Sequence, residues 1–248
     1  MTKQLKLVID IGNTWAKIAV FRGDKILEIV STEKLLPNHI QNILTKYTTI
    51  QSAILSAVKP YAAEVDTLLT THLSFLKLDA STPLPVKNLY ASPQTLGKDR
   101  LAIAVAGHSL FPGENVLAIV AGTTITYDFV NHKGEYLGGA ISPGIHLRLH
   151  ALHSFTGQLP LIGVSPETPV ALVGNNTTAA ISSGVINGTI AEIEGIITKY
   201  RAEFEGLKVV LGGGDYKYFD KRLKNNIFAA PNIVLAGLNE ILNFNEEK

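Results

Sequence analysis

The chain has 248 residues, a formal net charge of +1, 46% hydrophobic residues and no cysteine, which allows one large domain or two of about 110 to 130 residues. Near-neutral charge without a Lys/Arg block argues against nucleic acid or an anionic membrane as the main partner. The missing cysteine excludes disulfides, thiolate catalysis and Cys-ligated metals, and no apolar run nears the ~18 residues of a membrane span.

The N-terminus enters a strand pattern at once, broken by Lys6 and Asp10. It does not read as a signal peptide, so a soluble cytoplasmic protein is expected. The first strand, Leu5–Asp10, ends at Gly12-Asn13-Thr14, and a second runs from Trp15 to Phe21. A turn at Gly23-Asp24 leads to a strand over Ile26–Val30. A helix is expected near Asn38–Tyr47, a strand over Ser52–Ala57, a helix over Tyr61–Thr71 and a short strand over Phe75–Leu78. Gly97-Lys98-Asp99-Arg100 then precedes an apolar helix, Leu101 to Leu110. A turn-rich joint at Phe111 to Asn115 divides the chain into halves 1–112 and 113–248.

The second half repeats the opening of the first. Strand Val116–Val120 ends at Gly122-Thr123-Thr124, strand Ile125–Val130 follows, and a turn at Lys133-Gly134 leads to strand Tyr136–Ala140. A long helix is expected from about Asn176 to Phe204, with Asn175, Asn176 or Thr177 as its N-cap. Ile181, Val185, Ile190, Ile193, Ile197 and Tyr200 form its apolar stripe. Gly184, Gly188 and Gly195 each weaken that helix by roughly 1 kcal/mol, a density that fits close packing against another helix, as across a dimer. The mean hydropathy of +0.20 leaves apolar surface for such an interface. A strand over Lys208–Leu211, terminal helices and a polar, frayed tail from Asn243 complete the reading.

Two glycine turns after apolar strands, about one domain-length apart, carry the chemistry. Glycine lets backbone approach a phosphate, and the turn amides with Asn and Thr side chains donate to it. Their matching positions imply a duplicated fold that holds a nucleotide between its halves. Asp10, at a strand end, has the hard oxygens that Mg²⁺ takes beside phosphates. Lys17 reaches them only if the turn bends the chain, and is otherwise a solvated lysine. At the head of a helix, Asp99 can accept a proton and Arg100 can bind a carboxylate bidentately; plain helix capping explains the same pair. Gly138-Gly139 through Gly144 reads as a tight turn or a second backbone cradle, and Gly212-Gly213-Gly214 as an adenosine platform or a plain connection. His146, His150 and His153 lack a carboxylate companion and read as structural or solvated. Neither a GxSxG motif nor a P-loop is present.

In this order the pieces resemble the type III pantothenate kinases, members of the acetate and sugar kinase and actin superfamily. The resemblance covers nearly the whole chain. Asp10-Ile11-Gly12-Asn13-Thr14-Trp15-Ala16-Lys17 is similar to the family's first phosphate motif. Tyr90 with Gly97 to Arg100 is similar to its substrate segment, and Gly122 to Asp128 to its second phosphate motif. Gly138 to Gly144, Thr156 with Leu159-Pro160, Gly174 with Thr177, and Gly213-Gly214-Asp215 follow in family order.

The resemblance implies an α/β fold of two actin-like (ribonuclease H-like) domains, each a mixed sheet flanked by helices, with the site in the cleft between them. It implies ATP-dependent phosphorylation of pantothenate, the first step of coenzyme A synthesis, by a homodimer. Asp99 would be the general base, with Tyr90, Gly97, Lys98 and Arg100 around pantothenate and Thr177 reaching it from the partner subunit. Asp10 through Lys17 with Gly122 and Thr123 would hold ATP and Mg²⁺. Val120 stands where the family has an Asp that helps bind K⁺ or NH₄⁺, so no monovalent-cation site is expected. Gly212 replaces a family Thr, and Ala236 a frequent Glu. A kinase of another small hydroxylated carboxylate and a non-catalytic nucleotide-binding regulator are the alternatives.

Overall fold

The computed structural model describes residues 4–224 and 226–247. The chain forms two units, Met1–Leu110 with Ile233–Lys248, and Phe111–Asn232.

In the first unit, β1 (Leu5–Ile11), β2 (Ala16–Arg22) and β3 (Lys25–Thr32) form an antiparallel meander. Helix α1 (Pro37–Lys46) leads to β4 (Ile50–Ala57), and α2 (Ala63–His72) to β5 (Ser74–Lys77). β4 pairs parallel with β1, and β5 parallel with β4, giving the order β3-β2-β1-β4-β5. A two-residue strand β6 (Lys87–Asn88) and helix α3 (Lys98–Leu110) follow. β1 and β4 are buried along most of their length and read as apolar runs, as parallel neighbours covered on both faces do.

The second unit repeats the plan. β7 (Val116–Ala121), β8 (Thr124–Val130) and β9 (Glu135–Pro143) form the meander. Helices α4 (Ile145–Ser154) and α5 (Thr177–Glu203) precede β10 (Lys208–Gly212), which pairs parallel with β7. β11 (Phe228–Ala229) pairs parallel with β10. The order β9-β8-β7-β10-β11 matches that of the first unit, so the expected duplication of mixed sheets is present. β11 is too short to carry a periodic signal, which is why the sequence reading has no strand there.

Helix α6 (Ile233–Glu246) packs on α3, β1 and β4 of the first unit. The division at 112/113 gives this helix to the second half; an apolar helix face carries no address, and α3 is the surface that covers it. The expected fraying from Asn243 is also corrected. Lys6 donates to Asn243 Oδ1 at 2.6 Å and pairs with Glu246, while Asn245 Nδ2 donates to Pro83 O at 3.0 Å. Lys248, in the same predicted tail, lies outside the described residues. β9 also runs beyond the expected end at Ala140. Gly138 and Gly139 lie inside it opposite Phe129 and Asp128, not at a turn, and a Cβ on Gly139 would overlap the Tyr127 carbonyl.

Helix α5 begins where expected: Asn176 is the N-cap, its side chain accepting from Ala179 N at 2.9 Å, and Thr177 is the first helical residue. Ile181, Val185, Ile193 and Ile197 are buried, and Ile190 and Tyr200 pack against them. A Cβ on Gly184, Gly188 or Gly195 would meet nothing within 4 Å, so among the described residues no helix packs closely on that face.

Candidate active site

The first turn joins β1 to β2 through Gly12-Asn13-Thr14-Trp15, closed by Gly12 N donating to Trp15 O at 3.0 Å. Asn13, Thr14 and Trp15 are exposed, Ile11 and Ala16 are buried, and Gly12 is half-buried. Trp15, 48% exposed, is the chain's one tryptophan. The register places Lys17 directly across from Asp10 on β2, and Ser56 beside Asp10 on β4. Lys17 thus neighbours the carboxylate itself, without the bend its spacing from Thr14 had required.

Asp10 Oδ1 and Ser56 Oγ are enclosed, and neither has a hydrogen-bond partner among the described residues. Burial, then the charge of Asp99, push the Asp10 carboxyl up to about 7 against the pull of Lys17. A buried carboxylate oxygen left without a donor is a fit for Mg²⁺, a hard cation that takes oxygen ligands. Asp10 would hold the ion.

Sequence reasoning missed two neighbours of this turn. Ser56 is one, and Lys59 is the other, its ammonium donating to Asn13 O at 2.9 Å. Both follow from the parallel pairing of β1 and β4: Val58 N donates to Ile11 O at 3.0 Å, so the residues after β4 leave the sheet beside those after β1. The Lys59-Pro60 step after a predicted strand was the available signal.

Helix α3 starts at Lys98, so Lys98, Asp99 and Arg100 form its first turn; the sequence had the helix begin at Leu101. Arg100 N and Leu101 N both donate to Gly97 O. Asp99 Oδ1 folds back to accept from Arg100 N at 2.9 Å. Burial pushes the Asp99 carboxyl above its usual range, opposed by that hydrogen bond and by the Arg100 charge. The buried Arg100 guanidinium lies 5.7 Å from the Tyr90 ring centroid, and Tyr90 N donates to Asn88 Oδ1 at 3.0 Å. A Cβ on Gly97 would fall 2.5 Å from Asp99 Oδ1. Gly97→Ala therefore displaces the carboxylate at small cost to the fold. The expected result is kcat about tenfold lower or more, with a melting temperature within about 4 °C of wild type, checked by kinetics and thermal unfolding of one preparation.

The second turn is tighter than the first. Gly122-Thr123 alone joins β7 to β8, with Gly122 N donating to Thr124 O at 3.0 Å. A Cβ on Gly122 would meet nothing within 4 Å, so the turn presents open backbone. The adjoining Gly212-Gly213-Gly214 segment packs on this strand end, Asp215 N donating to Ala121 O at 3.0 Å. Val120 is half-buried on β7, opposite Thr126 and Gly212. Thr177, at the head of α5, is exposed. His146, His150 and His153 are exposed, and among the described residues no group of three or more His, Cys, Asp or Glu could hold a metal.

The family model described as type III pantothenate kinase matches residues 6–199. The chain belongs to the type III pantothenate kinase family. It is 44% identical over 243 residues to the type III pantothenate kinase of Christiangramia forsetii, covering 98% of this chain and 99% of that one. It is 43% identical over 241 residues to the type III pantothenate kinase of Bacteroides fragilis strain ATCC 25285, covering 97% and 98%. Among solved structures, a Baf-family protein from Campylobacter jejuni superposes with a TM-score of 0.62 at 21% identity, covering 98% and 100%. A ROK family glucokinase from Streptomyces griseus, in complex with glucose and AMPPNP, gives 0.53 at 11% identity over 98% and 100%. At those identities the structures establish the fold alone, and it is the duplicated actin-like fold that the family's sequence motifs imply.

Proposed function

We propose that the chain transfers the γ-phosphoryl group of ATP to the hydroxyl of pantothenate, giving 4'-phosphopantothenate and ADP in the first step of coenzyme A biosynthesis. The observation that carries this reading is the head of α3. There a buried guanidinium and a carboxyl held above its usual range sit in consecutive positions, and the carboxyl's charge reaches Asp10 at the first phosphate turn.

Asp99 accepts the proton of the pantothenate hydroxyl as that oxygen attacks the γ-phosphorus; the bond to the β-phosphate oxygen breaks and ADP leaves. A carboxyl pKa raised toward neutrality brings the base closer to that hydroxyl's proton. Arg100 pairs with the pantothenate carboxylate, with Tyr90, Gly97 and Lys98 beside it. Asp10 through Lys17, with Gly122 and Thr123, hold ATP. Bound Mg²⁺ supplies neutralisation of the phosphate charge, which with positioning makes up most of phosphoryl-transfer catalysis. A cytoplasmic location accords with the absence, among the described residues, of a helix long and apolar enough to cross a membrane.

The test is ADP release from ATP and Mg²⁺ with and without pantothenate, in K⁺ and in Na⁺. Turnover that requires pantothenate supports the reading. ATP binding, followed through Trp15 fluorescence, without turnover on pantothenate overturns it in favour of a regulator or a different acceptor. The Val120 side chain offers no oxygen ligand, so kcat in K⁺ is expected within about twofold of that in Na⁺, less than the loss of even one ordinary hydrogen bond to a charged ligand. A saturable K⁺ requirement contradicts that expectation.

The working unit in this reading is a homodimer in which Thr177 of the partner subunit completes the pantothenate pocket. Two features support it: the open glycine face of α5, and Leu172 and Val173, 81% and 80% exposed just before the helix. Ser183 Oγ donates to Leu172 O at 2.6 Å and Asn187 to Ala171 O at 3.2 Å, so α5 holds this apolar pair outward on a pinned segment. A Leu172→Asp, Val173→Asp double variant is expected to sediment as a folded monomer and to lose about tenfold or more in kcat/KM for pantothenate, since truncated central interface anchors cost about 2 kcal/mol or more. A dimer that is undisturbed by both charges contradicts this interface.

A further inference from the structure

The second phosphate turn is braced from behind by a corner at the end of the Gly138–Gly144 segment. β9 ends at Pro143 and α4 starts at Ile145, so Gly144 alone makes the corner. Gly144 N donates to Thr123 O at 3.1 Å, and a Cβ on Gly144 would overlap Gly122 O. The corner therefore lies against the backbone of Gly122 and Thr123, and any movement of one displaces the other. Pro143 and Ser142 also lie in register with Thr124 and Ile125, the residues that follow the turn on β8.

The corner is held by one carboxylate. Glu192, near the middle of α5, accepts at Oε1 from Ser142 Oγ of β9 at 2.5 Å and from Tyr127 OH of β8 at 3.0 Å. Its Oε2 pairs with Arg148 Nη2 of α4. Arg148 in turn donates from Nε to Pro143 O at 2.8 Å and from Nη2 to Ser142 Oγ at 3.4 Å. Three elements that border the turn thus converge on a single side chain of a fourth. Burial acts against the Glu192 charge, but the donors from Ser142, Arg148 and Tyr127 together hold the carboxyl below its usual range. The Arg148 and Glu192 side chains are 23% and 26% exposed, so this is not a solvent-screened surface pair of negligible worth. Networks of this kind fix geometry through mutual dependence of their members.

We propose that Glu192 and Arg148 are positioning residues for phosphoryl transfer: they hold the Ser142–Gly144 corner against the backbone of Gly122 and Thr123 and so keep that turn in one arrangement toward ATP. The inference rests on the reading of Gly122-Thr123 as a phosphate-holding turn. Neither residue contacts ATP in this proposal, and their effect passes through backbone alone.

The experiment measures KM for ATP, KM for pantothenate, kcat and thermal unfolding for wild type, Glu192→Gln, Arg148→Lys, the double variant and Gly122→Val. Glu192→Gln and Arg148→Lys are each expected to raise KM for ATP about tenfold while KM for pantothenate stays within about twofold, because sub-ångström misplacement of holding groups weakens what they hold. The double variant is expected to be no worse than the poorer single one, as for residues acting as one unit. Gly122→Val probes the turn itself and is expected to raise KM for ATP at least as much. If Gly122→Val impairs ATP use while the Glu192 and Arg148 variants change only the melting temperature, or change both KM values alike, the bracing role is overturned and the turn's role stands. If Gly122→Val leaves KM for ATP unchanged, the turn does not hold ATP and the proposal falls with it.

Discussion

Asp99→Asn is expected to lower kcat by ~10²–10⁴-fold, the range that general base catalysis contributes, while ATP still quenches or enhances Trp15 fluorescence as in wild type. Asparagine is nearly isosteric and can keep the hydrogen bond from Arg100 N, but it cannot take a proton from a substrate hydroxyl. Wild-type kcat/KM should fall on the acid side as pH drops through the raised Asp99 carboxyl, at a higher pH than an exposed aspartate would give. That limb should be missing from the residual activity of Asp99→Asn. A variant with near wild-type kcat removes Asp99 from the mechanism and leaves the head of α3 as an ordinary helix cap.

Asp10→Asn is expected to stabilise the metal-free protein at neutral and higher pH. The Asp10 carboxyl moves from 3.8 in a model peptide to about 7 in the fold. An acid whose folded pKa is raised contributes its full share of stability below the unfolded value and loses it as pH rises through the folded one. The loss is therefore spread from about pH 4 to pH 7, and amounts to at most about 4 kcal/mol for a shift of this size. Thermal unfolding without metal should show Asp10→Asn melting above wild type at pH 8, with the gap shrinking toward pH 4. With Mg²⁺ and ATP the order should reverse, since ligands that bind the native state stabilise wild type by mass action and the variant has lost the anionic oxygen. Asp99→Asn removes one cause of the Asp10 shift, so the same scan on that variant should show a narrower window. Equal melting curves for wild type and Asp10→Asn across this range contradict the burial of the Asp10 carboxyl as the cause of its raised pKa.

Both turns were legible because their chemistry is local. An apolar run that stops at glycine and small polar residues specifies a strand and a tight turn without help from the rest of the chain. What the sequence did not show was the difference between them: four residues in the first turn and two in the second. Backbone hydrogen bonds set that difference, and side-chain patterns do not report them. The neighbours of Asp10 and of Asn13 were hidden for a similar reason. Lys17, Ser56 and Lys59 lie at sequence separations that have no fixed meaning until β1 is known to pair antiparallel with β2 and parallel with β4.

The glycines show the same limit. The Gly138–Gly144 segment reads as a tight turn or a backbone cradle; in the structure Gly138 and Gly139 are strand residues, Gly139 packed against the Tyr127 carbonyl, and the corner comes at Gly144. The glycines of α5 look like a helix contact, and the described residues leave that face open. Glycine signals only that something needs the space of a Cβ, or that nothing does.

By itself the sequence determined the duplicated plan of three antiparallel strands followed by helix and strand, the two glycine turns, the Asp99-Arg100 pair at a helix head and the N-cap of α5. Each of these is set by neighbours within a few residues, through period, turn chemistry and capping. The tertiary structure alone decided that α6 packs in the first unit, that Asp10 stands enclosed beside Ser56 and across from Lys17, and that Glu192 meets Arg148, Ser142 and Tyr127. These are contacts between residues tens to hundreds of positions apart, and burial, register and packing select them only once the chain has closed on itself.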